Sequence, residues 1–234
     1  MKKSYLLLVL FVGCYFPSVS QTVDEIIDRH VQARGGKEKL AALKSMIMEG
    51  NMNQQGTDIA MKYYYLTNKA TKVEFSVAEQ TGYNLVTDKG GWTFNPFAGN
   101  TEPTAIPEAQ LKDLQGTLDI VGPLIDYKAK GNSIEYLGKQ NVQGVDYYKL
   151  KLTRANGKVA TYLLDKEYRI YQTTTTTKMA DGSDQETVTE YGDYRVIPEG
   201  YLIAFKRISG STEIFFDKVT INPVIEESVL KPQN

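Results

Sequence analysis

The sequence has very few of the side chains that most often carry out chemistry. Its 234 residues include one Cys, Cys14, and one His, His30. Because Cys14 falls in the expected leader, the mature chain has no thiol to pair with an imidazole and no metal-ligand cluster of the usual spacing. No glycine-rich phosphate loop occurs, and Glu226 and Glu227 are expected to face water. We therefore expect no catalytic residues, no metal site, no cofactor and no enzyme activity.

The chain also lacks an excess of charge of either sign. It has 27 Lys and Arg residues against 28 Asp and Glu residues, for a formal net charge of −1. A nucleic-acid-binding protein needs a basic patch, and a protein that adheres to an anionic membrane needs a polybasic run. We therefore expect a mixed, solvated surface and no nucleic-acid partner.

No apolar run reaches the roughly 20 residues that a membrane-spanning helix needs. The run at 6–12 follows two lysines, and small residues end the segment at Ser20. This order is typical of a secretory signal peptide cleaved between Ser20 and Gln21. We predict a signal peptide at 1–20 and one domain at 21–234, located in the periplasm.

Cys14 permits a second interpretation of the leader. Val-Gly-Cys at 12–14 is a weak version of the motif at which bacterial lipoproteins are acylated. In that case the protein is a membrane-anchored lipoprotein. Ordinary cleavage is preferred, because Phe11 stands where Leu is usual. The mature chain then has no Cys, forms no disulfide and depends on its hydrophobic core alone.

The mature chain is expected to begin with two helices. Thr22 and Glu25 form a capping-box pattern. An apolar stripe of helical spacing follows, formed by Val23, Ile26, Ile27, His30 and Val31. Gly35 and Gly36 end this helix, and a short second helix is predicted at 37–44. On this stripe His30 is interpreted as a packing residue.

What the sequence has in quantity is aromatic residues: 16 Tyr, 8 Phe and 1 Trp. From residue 46 onward, aromatic, β-branched and Met residues alternate with polar ones, which predicts half-buried antiparallel strands. Met46, Met48, Met61, Tyr63 and Tyr65 fall on one face by this alternation. The fold class is therefore mainly β, with about eleven strands and a few short helices.

A segment at 95–122 interrupts the strands. Its prolines, Pro96, Pro103 and Pro107, are unsuited to a central strand. A helical stretch follows them, with apolar residues at Ile106, Leu111, Leu114 and Leu118. An interruption of this length is expected to be a lid or a plug for the concave face of the sheet.

Five stretches, in order, resemble one protein family: the opening at 23–38, Trp-Thr-Phe-Asn-Pro-Phe-Ala-Gly at 92–99, and the stretches at 126–131, 135–139 and 146–153. They resemble the outer-membrane lipoprotein-sorting proteins, relatives of the lipoprotein carrier LolA. The resemblance spans essentially the whole mature chain. It implies an open half β-barrel that curls around an apolar cavity, with helices over the mouth. The family's latch arginine on an early strand has no counterpart, since 46–65 contains no Arg.

The resemblance also implies a function. The protein would be a monomeric periplasmic carrier that encloses the acyl chains of lipoproteins or other lipids, with membrane-embedded proteins loading and receiving the cargo. The expected lipid-binding residues, at the cavity or its entrance, are Trp92, Phe94, Phe97, Met46, Met48, Met61, Tyr63, Tyr65, Leu111, Leu114 and Leu118. Plain core packing explains the same residues. A binding module or sensor of the same fold, and a surface lipoprotein acylated on Cys14, are the alternative functions.

Overall fold

A computed structural model describes residues 21–54, 56–178 and 183–233 of the chain. The expected signal peptide, with Cys14 and Ser20, lies outside the described residues, and Gln21 is the first residue described. Within the described part, no helix is long and apolar enough to cross a membrane.

The two N-terminal helices form as the sequence predicts. Helix α1 spans Val23–Ala33 and helix α2 spans Lys37–Ala42. The capping box is present, since the Glu25 N–H donates to Thr22 Oγ1 over 3.2 Å and the Thr22 N–H donates to Glu25 Oε2 over 3.0 Å. Between the helices Gly35 has φ +116°, and a Cβ atom there would lie 2.7 Å from the Gly200 carbonyl oxygen. The turn therefore requires glycine.

The rest of the chain forms a single open antiparallel sheet of 13 strands. The strands are β1 Ser45–Gln54, β2 Thr57–Leu66, β3 Ala70–Val77, β4 Gln80–Thr87, β5 Gly91–Phe94, β6 Thr104–Ala105, β7 Ser133–Val142, β8 Val145–Thr153, β9 Val159–Leu164, β10 Ile170–Lys178, β11 Asp184–Val196, β12 Leu202–Ser209 and β13 Thr212–Ile221. Their order in the sheet is β6-β5-β4-β3-β2-β1-β13-β12-β11-β10-β9-β8-β7.

The predicted fold class is confirmed, although the sheet has two strands more than the roughly eleven expected. The pattern of prolines at 95–107 hid β6. Two of the three residues between Pro103 and Pro107, Thr104 and Ala105, are enough to pair with Thr93 and Trp92 of β5. A strand this short carries no alternating pattern that a sequence could reveal.

Alternation along the strands separates an inner face from an outer face. On the inner face Met48 pairs with Tyr63, and Tyr63 pairs with Val73. These side chains pack in one hydrophobic cluster that also contains Ile26 of α1 and Leu150 of β8. The core therefore lies between the inner face and the N-terminal helices.

Residues 106–132, called the covering segment here, join strands at opposite edges of the sheet. This segment contains helix α3 (Glu108–Leu114) and a 3₁₀ turn (Gln115–Leu118). Leu124, Ile125 and Tyr127 belong to the same buried cluster as α1. The chain therefore crosses over the inner face as it passes from β6 to β7, and the predicted helical insertion is confirmed.

The C-terminal residues pack on the outer face. The Tyr83 hydroxyl of β4 bonds to the backbone of Gln233, and Lys72 of β3 is only 2% exposed. The Lys72 ammonium lies 2.9 Å from a Glu74 oxygen and 4.7 Å from the centre of the Tyr83 ring. The predicted exposure of Glu226 and Glu227 is confirmed.

Candidate functional site

A cavity of about 680 Å³ lies between the inner face and the covering segment. Strands β9 to β12 and β1 form its floor, and α3 with the residues after it form its roof. Apolar side chains supply much of the lining: Met46, Met48, Leu114, Ile120, Val121, Ala160, Ile170, Leu202 and Ile203. A volume of this size is within the roughly 300–1,000 Å³ of small-molecule sites.

Polar side chains of the β10 strand line one side of the same cavity. The threonine run at 173–177 lies in β10, and Thr173 pairs with Tyr162 of β9, whose side chain also lines the cavity. The alternation of the strand turns Thr173 and Thr175 inward and Thr174 outward. The inward side chains of β10 are therefore smaller than those of β2, where Met61, Tyr63 and Tyr65 face inward.

Three phenols line the cavity, those of Tyr162, Tyr191 and Tyr194. Burial raises the pKa of Tyr162 to about 12, and the nearby Arg154 opposes this shift. Burial also raises the pKa of Tyr194, whose hydroxyl donates to the Ile170 carbonyl over 2.5 Å. At neutral pH both of these phenols are therefore uncharged and cannot act as counter-anions.

Basic side chains dominate the charged groups of the lining. Five are basic, Arg34, Arg154, Lys158, Arg169 and Arg207, and one is acidic, Asp113. Two of the five pair with carboxylates. Lys158 Nζ lies 2.6 Å from Asp113 Oδ1, and Arg169 Nε lies 2.6 Å from Asp165 Oδ2. Across residues 21–54, 56–178 and 183–233, the other three have no carboxylate within 4.0 Å.

Arg207 of β12 points into an aromatic environment. Its guanidinium carbon lies 5.0 Å from the centre of the Phe216 ring and 5.8 Å from that of Tyr63. Its Nη2 makes a long contact of 3.8 Å with Met48 Sδ, and its Nε is buried with no acceptor in the described structure. The aromatic rings favour the cation, as does the Tyr65 hydroxyl beside it, but no carboxylate neutralises it.

His30 of α1 also lines the cavity, with 1% of its surface exposed. Its Nδ1 lies 2.8 Å from the Tyr168 carbonyl oxygen, so this nitrogen carries the proton and donates. Burial, and secondarily the charge of Arg34, lowers the pKa of His30 to about 4. His30 is therefore neutral at pH 7, and its Nε2 is left without a partner among the described residues.

Arg34, just after α1, ties the covering segment down. Its Nη1 donates to the carbonyl oxygen of Val121. On the other side of the segment, the Asn68 N–H donates to the Leu118 carbonyl over 2.9 Å. Strands β1 and β2 contain no arginine. The arginine that contacts the covering segment is instead Arg34, at the C-terminal end of α1.

The structure brings only some of the predicted lipid-binding residues together. Met46, Met48 and Leu114 line the cavity. Met61, Tyr63 and Tyr65 share the inner face but lie beside the cavity, where the Tyr63 ring is 5.4 Å from that of Phe216. Their predicted role in binding stays a prediction.

The other predicted residues lie farther from the cavity. Trp92 pairs with Leu85 and Phe94 with Tyr83, which places both on the outer face, since Leu85 in turn pairs with Lys72 there. The remaining three are at the margin of the inner face: the Phe97 ring is 6.1 Å from that of Phe75, Leu111 lies against Gly91, and Leu118 is buried.

Sequence reasoning missed Arg34 and Arg207, although each had a signal. Arg34 follows His30 by four residues and continues the apolar stripe of α1. Arg207 follows Ile203 and Phe205 at every second position of β12, where an apolar residue is expected. A charge that interrupts an apolar face is informative because burying it is costly.

Neither a protein-family model nor a curated protein matches the chain. Solved structures do. A LolA superfamily protein from Nitrosomonas europaea superposes with a TM-score of 0.57 at 14% identity, over 91% of this chain and 98% of the other. The chain has the LolA-like fold. The resemblance read from the sequence motifs is therefore confirmed at the level of the fold.

Two further solved structures give the same result. A DUF1329 family protein from Desulfovibrio piger ATCC 29098 has a TM-score of 0.60 at 12% identity, over 91% of this chain and 98% of its own. A domain described as an outer membrane lipoprotein-sorting protein, from Vibrio parahaemolyticus, has a TM-score of 0.57 at 15% identity, over 89% and 97% of the two chains. All three superpositions cover nearly the whole LolA-like fold.

Proposed function

We propose that the protein binds the acyl chains of lipids or lipoproteins in the cavity and carries them through the periplasm. The observation that supports this most is the unfilled space of about 680 Å³ under the covering segment, floored by Met46, Met48 and Ile203. Methionine side chains are flexible and adapt to guests of irregular shape. A structural neighbour described as a lipoprotein-sorting protein domain adds support.

The energetics favour a carrier. Burying one methylene group contributes about 0.8 kcal/mol. A sixteen-carbon chain therefore contributes on the order of 10 kcal/mol before the cost of ordering it. This free energy is enough to hold an acyl chain out of water, and it makes release dependent on a second event, such as displacement of the covering segment by a receiving membrane protein.

The direct experiment is lipid extraction and mass spectrometry of protein purified without detergent. The proposal expects an acyl lipid bound in a defined ratio to protein. The matched variants come from β10: Thr173→Trp places an indole in the cavity, whereas Thr174→Trp places it on the opposite face of the same strand. Lipid recovery should fall several-fold in the first variant and stay at the wild-type level in the second.

Circular dichroism must first show that both tryptophan variants fold. Wild-type protein that carries no lipid, and takes none up from vesicles, would contradict the proposal. The sensor alternative predicts bound lipid together with a stable protein partner and no transfer of lipid between membranes. The alternative of a lipoprotein acylated at Cys14 is tested by the intact mass, since a mature chain that starts at Gln21 excludes it.

A further inference from the structure

The cavity has a charge bias that the whole protein does not have. The sequence contains 27 basic and 28 acidic residues. The charged side chains that line the cavity are instead five basic and one acidic. A cavity meant only for hydrocarbon gains nothing from this bias, because each cation there loses hydration.

Internal pairing neutralises only part of this charge. Lys158 forms an ion pair with Asp113, and Arg169 forms one with Asp165, each at 2.6 Å. In the described part of the chain, Arg34, Arg154 and Arg207 face the cavity with no carboxylate within ion-pair distance. The buried phenols do not compensate, because the pKa values of Tyr162 and Tyr194 are raised and both groups stay neutral.

Arg207 is the buried arginine whose Nε has no hydrogen-bond acceptor among the described residues. A guanidinium carries five N–H donors. The described contacts of Arg207 include two aromatic rings, the Met48 sulfur and the Tyr65 hydroxyl, and none of these is a carboxylate. Its Nε is buried and has no acceptor at all among these residues. An oxyanion in the cavity would supply both the charge and the acceptors.

We propose that the cavity selects amphiphiles with an oxyanion head, and that Arg207 binds this head while the acyl chain lies along Met46 and Met48. The planar guanidinium fork matches the geometry of carboxylates and of phosphates. The shared ligand chemistry is therefore a carboxylate or phosphate joined to an alkyl chain. This inference rests on the proposed function, since it assumes that the chain occupies the cavity.

The test compares ligands of equal chain length by isothermal titration calorimetry below their critical micelle concentrations. The carboxylate arm uses laurate against dodecanol, and the phosphate arm uses lauroyl lysophosphatidate against monolaurin. Wild-type protein should bind the anionic member of at least one pair roughly ten- to a hundredfold more tightly, the range expected for hydrogen bonds to a charged group. The arm with the larger preference identifies the head group.

The variant Arg207→Met removes the charge and keeps the length of the side chain. It should abolish the preference for the anionic ligand and leave the affinity for the neutral one within about threefold. Arg207→Lys should restore part of the preference. The matched control is Lys206→Met, which loses the same charge from the outer face, where Lys206 pairs with Glu213 and lies 5.0 Å from the Phe215 ring centre.

The outcomes separate this inference from the proposed function. Equal affinity of wild-type protein for both members of both pairs would overturn the head-group site and leave acyl-chain binding standing. Absence of binding by all four ligands would overturn both. If Arg207→Met does not fold, the comparison of ligands with wild-type protein decides alone. If Lys206→Met loses the preference for the anionic ligand to the same extent as Arg207→Met, the preference comes from net charge and the role of Arg207 is overturned.

Discussion

The two halves of the sheet show the same alternation of side chains, but the inner face is filled in one half and borders the cavity in the other. We call strands β2 to β6 the filled arm, and no described residue of this arm lines the cavity. In its strand β2 the inward residues are Ile59, Met61, Tyr63 and Tyr65. In β10, which belongs to the hollow arm (β9 to β12), Thr173 and Thr175 face inward and leave the space open. The period of a strand fixes which side chains face inward, and their volume determines whether that face closes or stays hollow.

The largest effect should come from opening a space in the filled arm. Met61 is 7% exposed and packs in the core cluster away from the cavity. Met61→Ala should lower the free energy of unfolding by about 2–5 kcal/mol, because it removes buried methylene groups and leaves a void. Urea denaturation followed by circular dichroism measures this change.

The control for this change is a substitution in the hollow arm. Thr175→Val changes a side chain that already borders open space, and its effect should stay within about 0.5 kcal/mol. Similar losses in the two variants would show that the arms are equally well packed and would remove the distinction between them.

The second effect is a dependence of stability on pH that originates at His30, which lies in α1 and lines the cavity above the hollow arm. The pKa of His30 is about 4 in the folded protein against 6.5 for an unperturbed His. Between these values the unfolded chain binds a proton that the folded chain does not. The full stability is therefore present above pH 6.5 and is lost as the pH falls, by about 3 kcal/mol in total at pH 4.

Because His30 is the one His of the sequence, the assignment is direct. His30→Asn keeps an N–H donor for the Tyr168 carbonyl and cannot titrate. Unfolding free energies measured from pH 7 to pH 4.5 should slope downward in wild-type protein and be nearly flat in this variant. A slope that persists in the variant would assign the pH dependence to carboxylates instead.

The smallest effect should be local and concern the covering segment. Arg34→Met removes the hydrogen bond to the Val121 carbonyl. It should lower the free energy of local opening of the covering segment by about 1–2 kcal/mol. Amide hydrogen exchange of residues 115–124 should then be roughly tenfold faster or more. Arg29→Met serves as the control, because Arg29 lies on the exposed side of α1, the helix that ends just before Arg34. Equal exchange in both variants would show that Arg34 does not hold the segment.

Most of the fold could be predicted from local rules. The capping box at Thr22, the glycines that end α1 and the alternation of the long strands all depend on neighbours within a few residues. The strand β6 could not be predicted, because two residues carry no period. The helix expected to extend through Leu118 stops at Leu114 and continues as a 3₁₀ turn. The glycine at 116 weakens it there.

The candidate site could be predicted only in part. Alternation correctly put Met46 and Met48 on the inner face, but it does not say which inward residues are covered and which border a cavity. Trp92 and Phe94 show the other difficulty, because the face of β5 is set by its pairing with β4 across a tight turn. Arg34 and Val121 are 87 positions apart, and a contact of that separation has no local signature.

The path of the chain between β6 and β7 has a mechanical consequence. The covering segment is attached at both ends to opposite borders of one sheet, so it can behave as a strap and cannot behave as a flap hinged on one side. Separating the two edges of the sheet would pull on both ends of this segment at once. The connectivity therefore links the width of the cavity to the position of its own cover.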